Sequence, residues 1–82
     1  MEERISQAIE LLNEIVEDTT VPKNIRQICE EAQKKLEEEK PIEIKIDAAT
    51  QILDEISKDP NIEMFTRTQI WNVVSLLESI NA

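Results

Sequence analysis

The sequence predicts an all-α fold, an antiparallel up-and-down four-helix bundle built from two similar helical hairpins. Three observations predict it. Four segments carry apolar residues at helical spacing. The chain aligns with itself at an offset of 41 residues. One short stretch alternates like a strand, but no other segment offers it a partner strand. Eighty-two residues make one domain, with a first hairpin over 1–41 and a second over 42–82.

In the first segment Ile5, Ala8, Ile9, Leu11, Leu12, Ile15 and Val16 form an apolar stripe about 160° wide. Glu3, Glu10, Glu14 and Glu17 occupy the opposite face, and the segment ends near Asp18-Thr19-Thr20. The second helix is expected to begin around Pro22, because proline suits a first helical position, where its missing N–H would be unpaired anyway. Its stripe of Ile25, Ile28, Cys29, Ala32 and Leu36 is narrower, about 100°, so this helix is expected to be the most exposed. It runs out at Glu37-Glu38-Glu39-Lys40, and Pro41 discourages helix at Lys40.

Ile42-Glu43-Ile44-Lys45-Ile46-Asp47 alternates apolar and polar, and reads as an extended lead-in or an early helical turn. The third helix then carries Ile46, Ala49, Ile52, Leu53 and Ile56 on one face and stops near Lys58-Asp59-Pro60-Asn61. The fourth, from Phe65 to Ile80, has an apolar arc of about 240°, interrupted by a strip of Thr68, Asn72, Ser75 and Ser79. That arc exceeds what one bundle face needs, and contiguous exposed apolar area marks a contact surface.

At the 41-residue offset ten of 41 positions are identical, among them Ile5/Ile46, Ala8/Ala49, Leu12/Leu53, Asp18/Asp59 and Arg26/Arg67. A single hairpin cannot bury its apolar stripe, whereas two packed together can. The spacing of Asp, then Val or Ile, then Arg is similar to the turn of a HEAT repeat. Two uncapped repeats make a poor solenoid, so a closed bundle is the expected arrangement.

The turn Asp18-Thr19-Thr20-Val21-Pro22-Lys23-Asn24-Ile25-Arg26 carries a resemblance over nearly the whole chain, together with Asp59-Pro60-Asn61-Ile62 and Thr66-Arg67-Thr68-Gln69-Ile70-Trp71. These motifs resemble a small archaeal family of short, acidic, helical proteins, an uncharacterised protein family. The resemblance implies an up-and-down four-helix bundle, similar in topology to bromodomain-like folds, and no activity. It brings no acetyl-lysine pocket with it, since fold alone does not confer function. Within the chain, Pro22 is matched by Glu63, so the second hairpin is expected to enter its helix differently.

Composition excludes several chemistries. There is no His and no Gly, and Cys29 is the one cysteine. Catalysis through a His-activated nucleophile and His-ligated metal sites therefore fall away, as do glycine-rich phosphate loops. The net charge is −9, which argues against direct binding to nucleic acid or an anionic membrane. No apolar run reaches the roughly 18 residues of a membrane span. Met1-Glu2-Glu3-Arg4 is not the basic start of a signal peptide, so a cytoplasmic protein is the default expectation. Thirteen Ile, six Leu and four Val are too many for a disordered chain, yet a core this small supplies little net stability.

Four residues are expected to stabilise the hairpin turns. Arg26 and Arg67 stand just past the turns, where each guanidinium can bond Asp18, Asp59 or the last carbonyls of the preceding helix. Glu10, Glu14 and Glu17 read as a solvated face ahead of a metal site, and Cys29 as a small core hydrophobe. No cofactor is expected. Phe65, Trp71, Leu76 and Ile80 are the candidate interface residues, with Trp71 readable as either core or contact surface. The leading expectation is a non-enzymatic interaction module whose protein partner is a second copy, a homodimer through the fourth helix. An acidic adaptor for a basic ribosomal or other nucleic-acid-associated protein is a second reading, motivated by the acids of the first and third helices. An enzyme using carboxylates or a bound metal is a third, and it needs two acids converging in a pocket.

Overall fold

Proline sets two of the helix starts. Pro22 (φ −53°, ψ 143°) and Pro41 (φ −51°, ψ 142°) both stand at the N-cap, and neither supplies a side-chain cap. Their carbonyls accept the first helical hydrogen bonds, Pro22 from the amides of Ile25 and Arg26 and Pro41 from those of Ile44 and Lys45. Pro22 therefore lies one residue ahead of the first helical position. Its φ fits both places, and Val21 just before it is buried.

The computed structural model describes residues 2–81. Four helices follow in order: α1 (Glu3–Val16), α2 (Lys23–Glu37), α3 (Ile42–Ile56) and α4 (Met64–Asn81). They form a closed ring in which α1 packs on α2, α2 on α3, α3 on α4 and α4 on α1. The up-and-down connections put both hairpin turns, 17–22 and 57–63, at one end. The link at 38–41 lies at the other end, with the start of α1 and the end of α4. There the Arg4 Nη1–H donates to the Ser79 carbonyl at 3.1 Å, tying α1 to α4.

The strand-like alternation at 42–46 is helical from Ile42 onward. Residues four apart share a helical face, so Ile46 is buried and Ile42 packs on the core. Ile44 points the other way and is 52% exposed.

The repeat is written into the core. The nine buried apolar residues of the first hairpin are Ile5, Ala8, Leu12, Ile15, Val21, Ile25, Cys29, Ala32 and Leu36. Forty-one residues on, every one of them meets a buried residue: Ile46, Ala49, Leu53, Ile56, Ile62, Thr66, Ile70, Val73 and Leu77. The two hairpins are thus related by an approximate two-fold axis along the bundle, and their four stripes meet in one core. The main buried polar addition is Gln33, whose Nε2–H donates to the Ile9 carbonyl at 3.0 Å, so α2 is pinned to α1 without an unpaired amide. α2 is consequently anchored along its length, with Ile25, Cys29, Ala32 and Leu36 of its narrow stripe buried and Ile28 half-buried.

Candidate functional site

The two turns are built alike. Asp18 Oδ1 accepts from the Thr20 amide at 2.9 Å and from the Thr20 hydroxyl at 2.6 Å. Asp59 Oδ1 accepts from the Asn61 amide at 2.8 Å. The Val21 and Ile62 amides close the turns onto the Asp18 and Asp59 carbonyls. Such Asp-centred turns need no glycine, and no described residue has positive φ. The Thr20 hydroxyl, then the Thr20 amide, hold the Asp18 carboxyl below its usual range.

The arginines bond turn carbonyls. The Arg26 Nε–H donates to the Val21 carbonyl at 2.9 Å. The Arg67 Nε–H donates to the Ser57 carbonyl at 2.9 Å, and its Nη2–H to the Asp59 carbonyl at 2.7 Å. Each guanidinium is half-buried and oriented by the turn beside it. That engagement leaves less of either cation for an outside anion, and Arg67 is held by one more carbonyl than Arg26.

Elsewhere, Glu10 and Glu14 stand exposed on the outer side of α1, and Glu17 is exposed just past its end. Among the described residues no three His, Cys, Asp or Glu are grouped to hold a metal ion. Cys29 is a free, fully buried cysteine, and burial pushes its thiol up to about 11. No described helix is long and apolar enough to cross a membrane.

The fourth helix carries the unusual surface. Phe65 is 69% exposed and Trp71 51% exposed, so the indole stands half in solvent. Leu76 and Ile80 are partly buried and pack against the core, which occupies most of their apolar area. Met64, one residue ahead of the expected start at Phe65, is the first residue of the helix and is 69% exposed.

The repeat provides an internal control for this surface. The exposed outer residues of α2 are Lys23, Asn24, Gln27, Glu30, Glu31, Lys34 and Glu37. Their counterparts on α4 are Met64, Phe65, Thr68, Trp71, Asn72, Ser75 and Glu78, all exposed too. Five of the seven α2 residues are charged, against one of seven on α4. Loss of charge with gain of Met, Phe and Trp is the compositional signature of an interface centre. The missed signal for Met64 lay in this alignment, where it faces Lys23 at an exposed position.

Comparison with known proteins agrees with this architecture. A protein of unknown function, MMP1188, has a crystal structure that superposes with a TM-score of 0.90 at 45% identity, covering 93% of this chain and 88% of that one. A crystal structure of a Thermoplasma acidophilum protein from the uncharacterised family UPF0147 gives a TM-score of 0.91 at 29% identity, covering 96% and 94%. A UPF0147 protein of Metallosphaera sedula is 49% identical over 80 residues, 96% of this chain and 90% of that protein. One from Methanocaldococcus jannaschii is 51% identical over 72 residues, 85% of this chain and 76% of that protein. The model of the uncharacterised protein family UPF0147 matches residues 1–80, and this chain belongs to that family.

Proposed function

We propose that the protein is a non-enzymatic interaction module whose contact surface is the outer face of α4, and that it self-associates there as a symmetric dimer. The observation that carries this reading is the contrast between equivalent exposed faces, charged on α2 and nearly uncharged on α4. Packing does not dictate the contrast, because every one of these positions on both helices is exposed. Charge favours a second copy at this face. With a net charge of −9, two copies repel wherever acidic helix faces meet, and α1 and its C-cap expose Glu3, Glu10, Glu14 and Glu17. The outer face of α4 offers an approach largely free of that repulsion, with Met64, Phe65 and Trp71 to bury. A chain this small also gains stability from association.

Multi-angle light scattering across concentration, with thermal melts at the same concentrations, tests the proposal. The expected result is a dimer whose midpoint rises with concentration, and a Trp71→Glu variant that is monomeric with an unshifted fold. A wild-type monomer at high micromolar concentration, with a concentration-independent midpoint, refutes it.

A further inference from the structure

A second surface has its own logic, on the opposite flank of the ring. An open groove of about 570 Å³ runs between α2 and α3 near the turn end. Ile28 of α2 and Ile52 and Ile56 of α3 form its apolar part, and Glu31, Glu55 and Asp59 supply carboxylates around it. Lys58 is the one basic residue among those lining it, and its Nζ lies 3.8 Å from the Asp54 carboxylate. The apolar strip continues along α3, because Ile44 and Ala48 precede Ile52 at intervals of four and fall on one row of the helix. That row is about 12 Å long.

The repeat again separates what the fold needs from what it does not. Ile28 corresponds to Gln69, and both are half-buried; Ile44 corresponds to Glu3, and both are exposed. The bundle therefore accepts a polar residue at these two places, so its packing does not require Ile28 or Ile44, whereas Ile52 and Ile56 correspond to Leu11 and Ile15 and also serve the core.

We infer that the α2–α3 groove is a docking site for a basic amphipathic helix of a partner protein. A groove between two antiparallel helices is shaped to receive a third, whose aliphatic ridge covers Ile28, Ile52 and Ile44. The surrounding carboxylates then face lysine or arginine on the flanks of that ridge, which selects the sign of the partner. A second copy of this chain matches the site poorly, since its α1, α3 and α4 carry net charges of −2, −3 and 0 and its α2 only +1. The inference is independent of the outer face of α4.

The test is an amide chemical-shift titration of the full chain with a synthetic Leu/Lys amphipathic helix of about 18 residues. Two control peptides are titrated beside it, one with the same residues scrambled and one with Glu in place of Lys. The host carries Trp71→Glu, so failure of the α4 reading leaves the measurement intact. The expected result is saturable binding with shifts centred on Ile28, Ile52 and Glu55, weakened by added salt. Ile28→Gln and Glu55→Lys should each weaken it by about tenfold or more. Glu55 is exposed, so that variant keeps the test sound even where the first disturbs packing. Absence of saturation, equal affinity for the scrambled peptide, or shifts centred on another helix overturns the inference.

Discussion

α2 and α4 start at equivalent residues of the two hairpins, Lys23 and Met64, and bury equivalent stripes. Their inner faces are interchangeable in kind, with Cys29 facing Ile70, Ala32 facing Val73 and Leu36 facing Leu77 across the repeat. Their outer faces differ in almost every residue. The pair teaches that core packing constrains one side of each helix and leaves the other to be chosen for something else. On α2 that choice is charge, with Glu30 and Lys34 paired at 3.5 Å. On α4 it is Met64, Phe65 and Trp71, which keep half or more of their surface in solvent.

The strongest perturbations should treat the hairpins alike. Leu12→Ala and Leu53→Ala remove equivalent, fully buried side chains, and each should cost about 3 kcal/mol in urea unfolding. A difference between them larger than about 1 kcal/mol would break the symmetry of the core.

Alkaline pH should tell the halves apart. Cys29 stands where the second hairpin has Ile70, and its thiol is raised by burial from 9.0 to about 11. The folded state therefore favours the neutral thiol. That contribution is complete below pH 9 and disappears as pH rises through 11, a loss of about 3 kcal/mol. Cys29→Val should abolish the part of the alkaline loss that the wild type shows in excess. At neutral pH the folded protein should leave a thiol reagent unreacted until it unfolds.

The turns should differ by less. Arg67→Ala removes two hydrogen bonds to turn carbonyls, with the Asp59 carbonyl keeping the Ile62 amide, and Arg26→Ala removes one. Costs of about 2 and about 1 kcal/mol are expected by chemical denaturation. Equal costs would mean that one of the Arg67 bonds contributes nothing in solution.

The smallest effect on stability should come from exchanging the outer faces. Trp71→Glu and Glu30→Trp swap equivalent exposed residues, and monomer stability should move by no more than about 1 kcal/mol. Association should follow the tryptophan, lost in the first variant and shifted toward α2 in the second, as sedimentation across concentration would register.

Much of the architecture was legible because burial follows helical spacing so closely. The stripes of Ile5 to Ile15 and of Ile46 to Ile56 were readable as two copies of one pattern, and both are buried. The run at 42–46 was ambiguous because an apolar residue at every second place satisfies a strand fully and a helix two times out of three. Ile44 is the residue left over, and only the helix shows it exposed. The fourth helix was harder. A helical wheel places Leu76 and Ile80 in the same broad arc as Trp71, but it does not say where neighbouring helices stand. α1 and α3 flank α4, and Leu76 and Ile80 are drawn against the core while Trp71 and Phe65 remain outside. The partners of Arg26 and Arg67 were likewise beyond reach in detail. Carbonyl direction depends on the turn's backbone, which residue spacing alone does not specify.

The bond from Arg4 to the Ser79 carbonyl closes a ring of four helices that is covalently open at that one place. Across the two-fold, the contact of α4 with α1 is the counterpart of the contact of α2 with α3, which the 38–41 link spans. The order of the hairpins along the chain is therefore topologically neutral. A circular permutant, cut in that link and joined by a short linker from the end of α4 to the start of α1, should rebuild the same bundle with the halves in reverse order.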